Sequence, residues 1–306
     1  MDKPFYILAV DGGGIRGVYP AYILNCIQNR LQVRLLDRFD MLAGTSTGAI
    51  IAGAIASNIN TNKIVWLYKE HGQRIFSPKT SWYPEWIKPA FHSRYQSDEL
   101  YKVLDETFGE TRLGQISKPL LIPATDVGNG AVYVFKSGYS KDFARDGKTF
   151  IKKAVMASCS APTFFDPIKV EEYLLADGGV WANNPALAAV IDAQKRLGIK
   201  LENIKILSIG TGHPRQFYGV NPDRKWGLLK AWGGHMFIDF LLSLQAQSAH
   251  NYLQLLLKPE QIVRLDFESD NPLPLDNYDE IDNLISRADR EFTHNSESLN
   301  AFLKDD

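Results

Sequence analysis

The sequence predicts an α/β fold: a central, mostly parallel sheet flanked by helices. Three observations carry this expectation. Short apolar runs alternate with stretches of helical spacing, and glycine-rich turns follow directly on several of those runs. The composition, 45% hydrophobic and 23% charged over 306 residues, is that of a globular chain with a core of its own. Strand, helix, strand and helix in that order imply βαβ units. A prior of about 150 residues per domain would suggest two domains. Without repeats or linker-like segments, one elaborated domain is the better expectation, with a core over 1–215 and a mainly helical part, 216–306, packed on it.

Phe5 to Val10 is an apolar run ending in Asp11-Gly12-Gly13-Gly14, a buried strand followed by a turn. From Pro20, apolar residues recur at Ile23, Leu24, Ile27 and Leu31, the spacing of a helix face. Phe39 to Ala43 reads as the second strand. Thr47 to Ala56, rich in Ala, Gly and Ile, reads as a helix small enough to lie close against a sheet. Residues 78–95 carry Pro78, Pro84 and Pro89 among five aromatics and show no periodicity. A loop is expected there, either a lid or interfacial patch or a segment pinned to the core by its rings. Leu120 to Thr125 and Ala131 to Phe135 are strands joined through Val127-Gly128-Asn129-Gly130, with Asp126 as turn-former. Lys152 to Ala157 reads as a short helix, and Glu172 to Ala176 as a strand ending at Asp177-Gly178-Gly179. Pro185 to Leu197 is a helix closed by Gly198, and Ile204 to Ile209 a core strand before Gly210-Thr211-Gly212. Beyond Pro214 the pattern is helical, over Leu228 to Leu257 and again over the charged stretch from Tyr278 to Leu303.

Several function classes fall away. Lys and Arg total 34 against 35 Asp and Glu, so there is no basic footprint for a nucleic-acid polymer, although a local patch could hold an anionic ligand. The two cysteines, Cys26 and Cys159, exclude a disulfide scaffold and fit reduced thiols in a cytoplasmic protein. The N-terminus lacks the apolar core of a secretion signal and the Arg/Ser-rich character of a transit peptide. Met236 to Leu244, the most apolar later stretch, is broken by Asp239 and falls short of the roughly 20 residues that span a bilayer. Any work on membranes is therefore expected from the water side, by peripheral association.

Two glycine motifs bear on chemistry. Gly12-Gly13-Gly14-Ile15-Arg16-Gly17, between a strand and a helix, satisfies the dinucleotide pattern G-x-G-x-x-G. Its free N–H groups would suit any anion, a pyrophosphate or the oxyanion of an acyl transfer. Gly44-Thr45-Ser46-Thr47-Gly48 fits G-x-S-x-G, again between strand and helix, where flanking glycines allow the tight turn that exposes a serine hydroxyl. A dinucleotide site wants an acidic residue at the end of its second strand, and this strand ends in the serine turn instead. The serine needs a base. Of six histidines only His213, at a strand-to-loop junction, sits where a triad histidine could; as a plain loop residue it would do nothing. Asp177 is the stronger candidate, because it ends a strand and its glycines leave room around the carboxylate. A carboxylate becomes a competent base in a dry pocket, where its pKa rises. Asp126 is a rival acid, and Asp11 reads as a tie for the glycine loop.

These motifs, with Ser158-Cys159-Ser160-Ala161-Pro162-Thr163-Phe164-Phe165 and Asn183-Asn184-Pro185, resemble the patatin-like phospholipase family over most of residues 5–212. The resemblance implies a patatin-like three-layer fold with a helical C-terminal extension, and hydrolysis of acyl esters in phospholipids or lysophospholipids. It implies a Ser–Asp dyad without histidine, cofactor or metal. By that resemblance Ser46 is the nucleophile, and Asp177 the base in a loop shaped by Gly178 and Gly179. Gly44, Thr45, Thr47 and Gly48 form the elbow, and Gly12, Gly13, Gly14, Ile15, Arg16 and Gly17 the oxyanion hole. Some bacterial members similar to this chain are antiphage effectors, switched on by a cyclic nucleotide and then degrading the cell membrane. A cyclic oligonucleotide activator and a homo-oligomer are compatible with the resemblance, although the C-terminal helices carry no nucleotide motif. The rival readings are a soluble Ser-His-Asp carboxylesterase using His213, a dinucleotide-binding oxidoreductase, and a catalytically silent lipid-binding module.

Overall fold

The computed structural model describes residues 3–76, 93–143, 145–215, 217–218 and 235–304. Most of the aromatic 78–95 segment, and the beginning of the helical stretch expected from Leu228, lie outside the described residues. The chain opens with β1 (Phe5–Val10), α1 (Val18–Arg30), the single turn α2 (Leu35–Arg38) and β2 (Met41–Gly44). Three helices follow, α3 (Thr47–Ala56), α4 (Thr61–Ile75) and α5 (Ser97–Phe108). The hairpin β3 (Leu120–Asp126) and β4 (Ala131–Lys136) leads to α6 (Ile151–Cys159), β5 (Ile168–Val170) and β6 (Tyr173–Asp177). Next come the short turn α7 (Gly179–Ala182), α8 (Ala186–Leu197), β7 (Ile204–Ile209) and β8 (His213–Pro214). The last elements are α9 (His235–Leu256), β9 (Ile262–Leu265), β10 (Glu268–Ser269) and α10 (Ile281–Lys304).

The described residues build an eight-stranded sheet in the order β5-β6-β3-β2-β1-β7-β9, with β4 paired to β3. β3, β2, β1, β7 and β9 run parallel, as the alternation of strands and helices requires. Strand β1 is apolar throughout because both of its faces are covered. Tyr6, Leu8 and Val10 face a layer that includes α1, α3, α4 and α10, while Ile7 and Ala9 face Ala186, Ala189, Val190 and Ala193 of α8 and Leu253 of α9. These are the three layers expected. α4, α5, β5 and β9 go beyond the elements read from sequence. Asp126 closes the hairpin as expected, accepting from the N–H groups of Gly128 and Asn129 at 3.1 and 3.2 Å.

One detail of the sheet positions everything that follows. β4 runs along one edge of β3 from Leu121 to Asp126. The other edge is shared: β2 pairs at Leu120 and Leu121, and antiparallel β6 pairs from Ala124 to Asp126. The C-terminal ends of β2 and β6 therefore approach each other along one strand edge, separated by Ile122 and Pro123. A proline inside a central strand normally costs a ladder hydrogen bond. Here the missing N–H falls in the gap, where no strand would accept it.

Strand β9 completes the sheet beyond β7 and brings Arg264 inward. Its guanidinium bonds both Asp11 carboxylate oxygens, at 2.9 and 2.6 Å, together with Ser208 Oγ at 2.7 Å and Asp266 Oδ2 at 2.6 Å. Asp11 does tie down the start of the glycine loop, but to a strand at the far end of the sequence. Removing one member of a buried charge cluster strands the others, typically at about 3–5 kcal/mol. Arg264→Leu should therefore lower the free energy of unfolding in urea by about that amount. A loss under about 1 kcal/mol, the scale of a surface ion pair, would show the cluster to be dispensable.

Candidate active site

Ser46 follows β2 and holds φ 55° and ψ −123°, a conformation unusual for a residue with a side chain. Its neighbours hold it there by close approach. A Cβ on Gly44 would sit 2.1 Å from the Gly48 carbonyl oxygen, and one on Gly48 would sit 2.1 Å from that of Val10. The Thr45 hydroxyl donates to the Ala182 carbonyl at 2.6 Å, and the Thr47 hydroxyl shares a hydrogen bond with Tyr68. The Ser46 N–H donates to Ser158 Oγ at 2.9 Å, and Ser158 in turn donates to the Pro123 carbonyl at 2.6 Å. The buried Ser158 thus fills the gap between β2 and β6 and pins the strained turn to β3.

Asp177 arrives from the opposite side of that gap. Its N–H donates to the Ser160 carbonyl at 2.9 Å, and its own carbonyl accepts from Thr125 Oγ1 at 2.8 Å. Gly178 presses on β3 so tightly that a Cβ would lie 2.3 Å from the Pro123 oxygen. Gly179 donates its N–H to Asp177 Oδ1 at 2.6 Å. The carboxyl is buried, and loss of hydration pushes its pKa from 3.8 up to about 7; the Gly179 N–H and the Ser46 hydroxyl restrain the rise. Cys159 lies beside both residues, and burial holds its thiol well above the usual range, so it is a poor rival nucleophile.

The glycine loop faces the same space. Its backbone donors divide: the Gly12 N–H is spent on the Asn183 carbonyl at 3.0 Å, that of Ile15 on Leu275 at 2.8 Å, and that of Arg16 on Gly13 at 3.1 Å. Gly17 closes the 3-10 turn Gly14–Gly17, and among the described residues no acceptor is found for the N–H groups of Gly13 and Gly14, so the expected donor set, Gly12 to Gly17, narrows to these two. Gly14 has φ +57°, and a Cβ there would meet the Leu275 oxygen at 2.2 Å. Gly17 packs against Thr47 and Tyr68. The Arg16 guanidinium points away from the serine, to the carbonyls of Gly13 and Leu273 and to Asp239.

Ser46, Asp177, Gly13 and Gly14 open onto one cavity. Its walls are almost wholly apolar, with Leu67, Ile75, Phe76, Val103, Leu104 and Phe164 prominent. No histidine lines it among the described residues. His213 and His250 instead line a second, polar cavity behind the glycine loop, with Asp11, Arg264 and Asp266. The sequence does not announce the parts taken by Ser158, by Thr125, or by Thr211, whose hydroxyl donates to the Gly12 carbonyl at 2.8 Å. Ser158 and Thr211 lie in segments singled out there, Ser158-Cys159-Ser160 and Gly210-Thr211-Gly212, but their partners are distant in sequence. The lining from α4 and α5 has only the spacing of ordinary core helices.

A serine hydroxyl beside a buried carboxyl, with two unspent N–H groups and an apolar cavity, is suited to acyl transfer from an ester with a long apolar acyl group. A family model described as patatin-like phospholipase matches residues 8–190. A cUMP-AMP-activated phospholipase of Escherichia coli is 31% identical, the match covering 99% of this chain and 95% of the relative. A cGAMP-activated phospholipase of Pseudomonas aeruginosa is 28% identical over 82% of this chain and 74% of its own. Patatin-T5 of Solanum tuberosum is 31% identical over 81% and 75%.

The raised pKa of Asp177 has a consequence for stability. A carboxyl that binds its proton more tightly when folded than when unfolded favours folding at low pH. That contribution is lost as pH rises from about 4 through about 7. Asp177→Asn cannot titrate, so its stability relative to the parent should improve steadily across that window. Urea unfolding of both proteins at several pH values measures this, and a constant difference would show that burial does not shift the carboxyl.

Proposed function

This chain belongs to the patatin-like phospholipase family, and from that premise we propose that it cleaves fatty-acyl esters of phospholipids or lysophospholipids through a Ser46–Asp177 dyad. The observation that carries the reading is the meeting of the Ser46 hydroxyl with a carboxyl whose pKa stands at about 7, inside an apolar cavity. Ser46 Oγ attacks the acyl carbonyl as its proton passes to Asp177. The tetrahedral oxyanion is received by the N–H groups of Gly13 and Gly14. On collapse the leaving alkoxide takes the proton from Asp177, and an acyl-Ser46 ester remains. Water then attacks that ester, giving up its proton to Asp177; the fatty acid leaves, and Ser46 recovers its proton. The elbow residues Gly44, Thr45, Thr47 and Gly48 hold the nucleophile, and Gly178 and Gly179 hold the base.

The triad reading with His213 is disfavoured by the place of that ring, in the cavity behind the loop. The dinucleotide reading is disfavoured by Ser46 at the end of β2. Residues 1–215 and 216–306 are read as one continuous domain, since β9 extends the sheet and Arg264 reaches Asp11. The substrate would be met at a membrane surface by peripheral association. No helix among the described residues is long and apolar enough to cross a bilayer. We further propose a cyclic oligonucleotide as activator, with membrane degradation in antiphage defence as the setting. The names of the bacterial relatives support the activator.

Ser46→Ala should abolish hydrolysis of a soluble short-chain ester, and a fluorophosphonate should label Ser46 in the parent. Asp177→Asn should lower kcat by about 10²–10⁴-fold, the range for loss of a general base, while His213→Ala keeps most of the activity. The parent's kcat/KM should rise with pH through about 7, because only the ionised carboxylate accepts a proton. If His213→Ala is as inactive as Ser46→Ala, the histidine is the base and the dyad is wrong. Dye-loaded phospholipid vesicles incubated with and without a panel of cyclic oligonucleotides test activation: leakage should require one of them. Equal leakage without any would remove the activator from the proposal.

A further inference from the structure

The two unspent N–H groups of the glycine loop are aimed by hydrogen bonds to the carbonyls that precede them. The Gly12 carbonyl accepts from Thr211 Oγ1 at 2.8 Å. The Gly13 carbonyl accepts from Arg16 Nε at 3.3 Å and from the Arg16 N–H at 3.1 Å. In a trans peptide the C=O and the following N–H point in opposite directions. These bonds therefore turn the Gly13 N–H away from Thr211 and the Gly14 N–H away from Arg16, and both glycines line the cavity that holds Ser46. Arg16 is buried and has its own anchors, the Leu273 carbonyl at 2.9 Å and Asp239 Oδ1 on α9 at 3.1 Å. With Nε and both terminal nitrogens engaged in this way, the guanidinium is a strut between α9 and the loop.

We infer that Thr211, Arg16 and Asp239 are positioning residues, which set the direction of the Gly13 and Gly14 N–H groups and so the stabilisation of the oxyanion. Thr211 and Asp239 lie beyond residues 8–190, outside the part matched by the family model. The inference rests on the proposed reading of Ser46 as nucleophile and of those N–H groups as its oxyanion donors. It makes α9 part of the catalytic apparatus without any atom of Asp239 touching substrate.

The test uses two near-isosteric variants, Thr211→Val and Asp239→Asn, with Thr211→Ser as the conservative replacement. Asp289→Asn, in the exposed ion pair with Arg30 between α10 and α1, controls for loss of a charge. Each is assayed for kcat and KM on a soluble ester and for Ki of a trifluoromethyl ketone, whose adduct with serine carries the same oxyanion. In Thr211→Val and Asp239→Asn, kcat should fall at least about tenfold with KM little changed, and Ki should rise by the factor that kcat falls. Thr211→Ser and Asp289→Asn should behave like the parent, and the inflection of kcat/KM near pH 7 should stay in place because Asp177 is untouched. A merely loosened fold would move KM and the inflection together. Unchanged kcat and Ki in the two variants, or a rise confined to KM, overturns the inference. If one variant does not fold, the other and Thr211→Ser decide. If the parent neither binds the ketone nor is labelled at Ser46 by a fluorophosphonate, the proposed function itself fails, and this inference with it.

Discussion

Two strands meeting end to end along one edge of β3 are the constraint on which the site depends. β2 delivers Ser46 from one side and β6 delivers Asp177 from the other, with Pro123 between them. Because the residues are held by the ends of different strands, their separation is set by the ladder of a third, and rigid elements hold such constellations better than loops do. The gap has to be filled, since unsatisfied polar groups in a buried sheet are costly. Proline removes one donor and Ser158 satisfies the carbonyl, and in doing so Ser158 accepts from the Ser46 N–H. The polar groups exposed by the break in the sheet are thereby turned into supports for the strained serine.

Burial then shapes the chemistry. A carboxylate in water is too weak a base to help a hydroxyl, and one in a strong ion pair is weaker still. Asp177 is dry, and among the described residues its carboxyl has only the Gly179 N–H and Ser46 as partners, so desolvation dominates and its pKa moves into the neutral range. Asp11, also buried, is raised by desolvation as well, to about 6, but both of its oxygens are on Arg264, which holds the rise back. The two aspartates follow strands of the same sheet, one with no cation beside it among the described residues and the other firmly paired. That difference separates a group suited to proton transfer from one suited to bearing load.

What could be read in advance follows the range of the interactions involved. The glycine turns at 12–14, 44–48 and 178–179 announce themselves because close backbone approach demands glycine locally, and the apolar runs of β1 and β7 because both faces are buried. β9 is four residues with Arg264 at its third position, and it reads as surface until its partner Asp11, 253 positions earlier, is in view. Which N–H groups of the glycine loop stay unspent depends on the carbonyls of Asn183 and Leu275, and no local pattern carries that information. Leu67, Val103 and Leu104 have the same periodicity whether they fill a core or line a cavity.

The glycine loop near the N-terminus is fastened by Thr211, Asp239, Arg264, Leu273 and Leu275, all in the last third of the chain. Synthesis proceeds from the other end, and N-terminal parts emerge first. A ribosome-bound chain that already contains Ser46 and Asp177 therefore lacks the struts of its loop until residues near 275 have left the exit tunnel.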